Sequence, residues 1–125
     1  MSWDAKMKKY LEKFKEKKIA VIGDVMLDKY IFGKVERISP EAPVQIVSVE
    51  KESYAPGGAA NAANNIAAMK GNSFLFGVVG NDAAKDILLE EAKSRSINFS
   101  GMVIGSSKTT QKIRVLGQHQ QLLRI

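Results

Sequence analysis

The sequence predicts an α/β domain whose sheet is at least partly parallel. Short β-branched runs ended by turn residues alternate with helical periodicity through the first two thirds of the chain. The remaining strand-like segments are amphipathic, as a smaller flanking sheet requires. With 125 residues and 45% apolar content, the chain is long enough for one domain with a sizeable core. Its longest apolar runs, Ile19 to Ile22 and Phe74 to Val79, are far too short to span a bilayer. There is no cysteine and only one histidine, His119, which excludes disulfide scaffolds, thiolate zinc sites, cysteine nucleophiles and histidine metal sites.

Residues 1–18 hold seven lysines against Asp4, Glu12 and Glu16, so this segment carries +4 of the net +6 and the body is nearly balanced. Trp3, Met7, Leu11 and Phe14 recur at helical spacing, which predicts an amphipathic helix over 1–18 docked onto the domain with its lysines in solvent. A membrane-surface, calmodulin-target or phosphate-contacting helix has the same pattern. No aromatic or arginine cluster elsewhere supports nucleic-acid readout, and neither nucleic acid nor membrane is expected as a partner. The segment lacks the uninterrupted apolar core and small-residue cleavage site of a secretory signal, so a cytoplasmic address is expected.

Ile19 to Ile22, ended by Gly23-Asp24, reads as a buried strand. Tyr30-Ile31-Phe32 leads into a polar segment, Gly33 to Arg37, and Pro40 and Pro43 exclude helix after it. Val44 to Val49 suits an extended strand, and Pro43 at its start places it at an edge. Pro56-Gly57-Gly58 then opens an alanine-rich helix from Ala59 to Met69, closed by Gly71. Phe74 to Val79 is the second buried-strand candidate. Asn81 or Asp82 caps the next helix, whose apolar face is Ala84, Ile87, Leu88 and Ala92. Met102 to Ile104, Gln111 to Leu116 and Leu122 to Ile125 finish the chain as short strands, the last still strand-like at its end, as in a fragment.

Three groups of residues have the chemistry of a binding site. Asp24 and Asp28 follow a strand end, where open α/β sheets place their ligands, and ionised carboxylates there accept hydroxyl hydrogen bonds from a polyol. Turn-forming and capping aspartates give the same pattern. Gly57, Gly58 and Asn61 combine backbone able to take φ > 0 with the unpaired N–H groups of a helix start; a plain turn into a helix is the alternative. No dinucleotide or P-loop glycine spacing occurs. Lys112 and Arg114 alternate with Ile113 and Val115, so both cations share one strand face, either solvated or turned towards an anion, with Arg124 adding a third cation nearby.

Taken together, Val21-Ile22-Gly23-Asp24-Val25-Met26-Leu27-Asp28, Gly57-Gly58-Ala59-Ala60-Asn61-Ala62-Ala63-Asn64-Asn65-Ile66-Ala67 and Gly77-Val78-Val79-Gly80-Asn81-Asp82 resemble the ribokinase-like (PfkB) carbohydrate kinases. Arg37 to Val44, Thr110 to Val115 and Gln120 to Arg124 resemble its heptose-7-phosphate kinase branch, which serves the ADP-heptose pathway of lipopolysaccharide cores. The resemblance runs along essentially the whole chain. It implies a Rossmann-like ribokinase fold with a small β-sheet lid, its strands within about 31–50 and 110–125, and a homo-oligomer formed through the lid strands.

By position, the resemblance makes Asp28 the residue that binds sugar hydroxyls, with Asp24 in support and Gly57, Gly58 and Asn61 lining the sugar pocket. Lys112 and Arg114 become candidates for the substrate phosphate. The family's ATP site, glycine-rich anion hole and general base lie in a carboxyl-terminal half that no segment here matches. The expectation is therefore the amino-terminal portion, residues 1–125, of a kinase that uses ATP and Mg2+ on a sugar phosphate. This portion should be inactive alone, with no catalytic or metal-binding residue and no bound cofactor. A free-standing sugar-phosphate binding module is the alternative, followed by an accessory protein acting through the basic helix.

Overall fold

The computed structural model describes residues 1–118 and 120–125. Helix α1 (Trp3–Glu12) starts at Ser2, whose hydroxyl accepts the Ala5 N–H, and ends in a short 3-10 turn (Lys13–Glu16). Strands β1 (Lys18–Ile22), β2 (Val25–Ile38) and β3 (Gln45–Gly58) follow. Helix α2 (Ala59–Ala68), β4 (Asn72–Val79), helix α3 (Ala83–Ser94) and β5 (Asn98–Ile104) come next, and β6 (Thr110–Gly117) and β7 (Gln120–Arg124) complete the chain.

Two sheets form. The first has the order β1-β4-β5, all parallel, with α2 and α3 packed on one face. The second has the order β3-β2-β6-β7, in which β2 runs antiparallel to β3 and parallel to β6. The core lies where the helices meet both sheets. Leu27, Leu75 and Leu88 are its fully buried large side chains, with Val25, Ala60, Ala63, Val79, Ala84, Ala92 and Ile97 around them. Burying each leucine contributes about 1.5–3 kcal/mol, and the alanines let α2 and α3 approach the strands closely.

The structure corrects several expectations. The stripe of α1 does not dock: Trp3, Met7 and Leu11 are all exposed, and only Phe14 of the 3-10 turn is half-buried. Neither β1 nor β4 is buried on both faces. The helices cover Leu75 and Val79, whereas Ile22, Phe76, Val78 and Val103 lie exposed on the opposite face, because nothing among the described residues packs there. Strand β2 begins at Val25, well before Tyr30, and absorbs the polar segment through register shifts at Phe32/Gly33 and Val35/Arg37. Pro56, Gly57 and Gly58 belong to the end of β3, whereas the helix opens at Ala59 as expected, with Gly58 as its N-cap. Pro56 is tolerated there because β3 is an edge strand, as Pro43 predicts.

The last turn of α2 is closed by Lys70 in the left-handed region (φ 65°), one residue before the expected Gly71. Strand β5 joins the parallel sheet, so the flanking sheet is the four-stranded one and is the larger of the two. Asp82 caps α3, its Oδ1 accepting the Lys85 N–H at 2.9 Å, and the apolar face of that helix is Ala84, Leu88 and Ala92 with Ile87 half-buried.

Candidate functional site

The two sheets meet at the turn between β1 and β2, and that junction builds the site. Asp24 sits in the turn, exposed, and its main-chain oxygen accepts the Ala59 N–H at 2.8 Å, which ties the start of α2 to the end of β1. Gly58 makes this possible. It has φ 57° and ψ −130°, and a Cβ there would stand 2.3 Å from the Asp24 carbonyl oxygen. Asp24 and Met26 line a cleft of about 410 Å3 together with Gly77, Val78 and Thr110.

Alternation along β2 sends Val25 and Leu27 into the core and Met26, Asp28, Tyr30 and Phe32 to the other face. Strand β6 pairs in parallel register, with Asp28 beside Lys112 and Tyr30 beside Arg114. The two cations predicted to share a strand face therefore converge on the aspartate. Lys112 Nζ lies 2.8 Å from Asp28 Oδ1, and Arg114 NH1 lies 3.7 Å from Oδ2. Arg114 NH1 also donates to the Tyr30 hydroxyl at 3.2 Å, and its guanidinium carbon is 5.3 Å from the centre of the Tyr30 ring. Tyr30 in turn stacks on Phe32, with centroids 6.4 Å apart and planes 19° from parallel.

Gly57 lies on the other side of Asp28. A Cβ at this position would stand 2.6 Å from Oδ1, so the carboxylate occupies the space that a side chain would take. Asp28 Oδ1 is buried and accepts no hydrogen bond; its approach to Lys112 is an ion contact, not an aligned bond. A half-buried carboxylate with spare acceptor capacity and two cations on one face can hold a ligand bearing both hydroxyls and negative charge.

Of the residues singled out from sequence, Asp28, Gly57, Lys112 and Arg114 come together, and Asp24 and Gly58 form the adjoining turn. Asn61 is exposed in the first turn of α2, and Arg124 is exposed opposite Arg114 on β7; among the described residues neither bonds to Asp24 or Asp28. Tyr30 was missed. Period-2 alternation from Asp28 would have found it, but only with β2 known to begin at Val25. Thr109 was missed as well: it is buried, its hydroxyl accepts the Gly80 N–H at 2.9 Å, and its own N–H donates to Asp82 Oδ2 at 2.8 Å. These main-chain donors, Thr109 and then Lys85, hold the Asp82 carboxyl below its ordinary value of 3.8. On the opposite face of the four-stranded sheet, Glu52 accepts from Tyr54 (2.7 Å) and pairs with Lys29 (3.0 Å), which lowers the Glu52 carboxyl and raises Lys29.

Among the described residues no group of three or more acids or histidines converges on a cation position. No helix among them is long and apolar enough to cross a membrane.

Comparison with known proteins bears on the family and the fold. The chain is 46% identical over 119 residues to the bifunctional protein HldE of Psychromonas ingrahamii, and 48% identical over 110 residues to that of Helicobacter pylori strain J99. These alignments cover 95% and 87% of this chain but 25% and 24% of the relatives, so the chain spans about a quarter of their length. Among solved structures, phosphofructokinase-2 from Escherichia coli in complex with fructose-6-phosphate superposes with a TM-score of 0.66 at 20% identity, covering 85% of this chain and 34% of that one. Ribokinase from Thermotoga maritima gives 0.62 at 22% identity, covering 87% and 35%. The fold is thus ribokinase-like. The family match extends over residues 16–125, from the 3-10 turn through every strand that builds the site, and the chain belongs to the pfkB family of carbohydrate kinases.

Proposed function

We propose that this chain is the acceptor-binding, amino-terminal part of a sugar kinase that transfers the γ-phosphoryl group of ATP to the anomeric hydroxyl of a heptose 7-phosphate. The carrying observation is the convergence of Asp28, Lys112 and Arg114 on one face beside Gly57. The 46–48% identity to HldE proteins supports the heptose branch. In this reading Asp28 and Asp24 accept sugar hydroxyls, Gly57 and Gly58 line the sugar pocket by letting the Asp28 carboxylate and the Asp24 carbonyl take their places, and Asn61 completes the pocket wall. The cationic face of Lys112 and Arg114 is turned towards the 7-phosphate, with Arg114 as its direct contact and Arg124 in support. The four-stranded sheet acts as the lid.

In the transfer, the hydroxyl oxygen forms a bond to the γ-phosphorus as the bond to the β-phosphate oxygen breaks. ADP leaves, and a base takes the hydroxyl proton. ATP and Mg2+ belong to this proposal, and none of the residues on this chain is assigned to hold them or to act as the base. This chain contributes positioning, by fixing the acceptor sugar so that one hydroxyl meets the donor. A place in the ADP-heptose pathway of lipopolysaccharide, a cytoplasmic address and assembly through the lid strands belong to the same proposal.

The test is kinetic, in the full-length kinase. Asp28→Asn should reduce turnover of every sugar acceptor. Arg114→Ala should raise KM for a phosphorylated sugar far more than for its unphosphorylated analogue, because truncating one partner of a desolvated charge pair costs about 2–5 kcal/mol. Equal losses on both sugars would assign Arg114 to folding, and no loss on either would remove Arg114 from substrate binding.

A further inference from the structure

We propose that Tyr30 is a positioning residue for anion recognition: it holds the Arg114 guanidinium off Asp28 and free for a substrate phosphate, while Lys112 remains the partner of Asp28. The inference rests on the sugar-phosphate reading above and divides the work of its two cations.

The register already separates them. Lys112 lies directly beside Asp28 across the parallel pair, and Arg114 lies beside Tyr30, so Arg114 reaches Asp28 only on the diagonal. The distances follow: 2.8 Å from Lys112 to the carboxylate, against 3.7 Å from Arg114. The hydrogen-bond partner of Arg114 is neutral, and the Asp28 carboxylate stands farther off, at 3.7 Å. The Tyr30 hydroxyl accepts from NH1 at 3.2 Å, and the ring lies beneath the guanidinium at 5.3 Å. A phenol and a π face orient a guanidinium without neutralising it, whereas a carboxylate in the same place would satisfy the charge a phosphate needs. A guanidinium has five N–H donors in a planar fork, and one contact to a phenol leaves most of that fork available for bidentate phosphate binding. The stack of Tyr30 on Phe32 fixes the ring that lies beneath the guanidinium.

Lys112 has the complementary role. A compact ammonium 2.8 Å from a buried carboxylate oxygen that lacks any hydrogen bond fixes where Asp28 points, so Lys112 acts on sugar hydroxyls through Asp28.

Steady-state kinetics of the full-length kinase on a sugar 7-phosphate and on the same unphosphorylated sugar separate these roles. Tyr30→Leu should raise KM for the phosphorylated sugar about tenfold, the scale of one charge-assisted hydrogen bond, with kcat changed less than twofold and the unphosphorylated sugar unaffected. Tyr30→Phe, which keeps the ring and the fold, should show a smaller shift in the same direction. Lys112→Met should weaken both sugars alike. Equal effects of Tyr30→Leu on both sugars, no effect of either tyrosine variant, or a phosphate-selective loss in Lys112→Met would each overturn the assignment. If the wild-type enzyme shows no preference for the phosphorylated sugar and Arg114→Ala changes neither, the sugar-phosphate reading fails. A preference abolished by Arg114→Ala but untouched in Tyr30→Leu removes only the role of Tyr30.

Discussion

Replacing Gly58 with alanine tests the junction on which the site is built. Two costs arise from one methyl group. The backbone at φ 57° and ψ −130° is open to glycine and strained for any L residue, at about 1–3 kcal/mol. The new Cβ would also stand 2.3 Å from the Asp24 carbonyl oxygen, which is main chain and cannot rotate away. If that carbonyl retreats, it gives up the 2.8 Å bond from the Ala59 N–H, a loss of about 0.5–1.5 kcal/mol. The combined destabilisation is about 2–4 kcal/mol, a large share of the roughly 5–15 kcal/mol typical of a folded domain. Urea unfolding should show a lower midpoint at unchanged slope. Gly23→Ala is the control: its Cβ would meet only the Ala59 methyl, at 3.3 Å, and its backbone is not left-handed, so it should cost less than about 1 kcal/mol. Equal stability of Gly58→Ala and wild type, within about 0.5 kcal/mol, would refute the argument.

Leu27→Ala, at a side chain with no exposure, should cost about 2–5 kcal/mol in the same assay. The Asp82 carboxyl is held below its ordinary value by main-chain donors in the folded state. Its contribution is therefore complete above the unfolded pKa near 4 and is lost as pH falls through the lower, folded value. Thermal midpoints of Asp82→Asn across pH 2–7 should accordingly fall less steeply below pH 4 than those of wild type, and parallel curves would refute the linkage. Residues 1–125 alone should release no ADP from ATP with any sugar in a coupled assay; turnover abolished by Asp28→Asn would contradict this. The same chain should self-associate through the exposed edge of β3, so Val49→Lys is expected to lower the mass seen by sedimentation, and an unchanged mass would exclude that edge.

How far the sequence disclosed this structure depended on whether a signal was local. The cap at Asp82 and the face of α3 were legible because capping and helical periodicity involve residues within four positions. The extent of β2 was not. Asp28, Lys29 and Lys34 interrupt its apolar pattern, and they are accommodated by partners far along the chain: Lys112 for Asp28, Glu52 for Lys29 and Glu50 for Lys34. The docking stripe on α1 was misread because periodicity reports a potential face and says nothing of whether anything covers it. Within the site, the shared face of Lys112 and Arg114 followed from period-2 alternation, but their convergence on Asp28 is a matter of strand register. Register depends on pairing across more than 80 positions of chain, which a single sequence does not display.

The continuity of β2 limits how sequences with this architecture can vary in length. Val25 and Leu27 fill the core while Asp28 and Tyr30 lie on the other face beside Lys112 and Arg114, all on one uninterrupted pleat. Inserting or deleting one residue between Asp24 and Tyr30 would exchange the two faces, turning a carboxylate towards the core and a leucine towards the cations of β6. Beyond Phe32 the same event would be absorbed, because the ladder already slips at Phe32/Gly33 and at Val35/Arg37. Length changes in relatives should therefore collect on the outer side of these two slips, in the connection from Ile38 to Gln45. The stretch from Gly23 to Tyr30 should keep a fixed count of residues even where the residues themselves change.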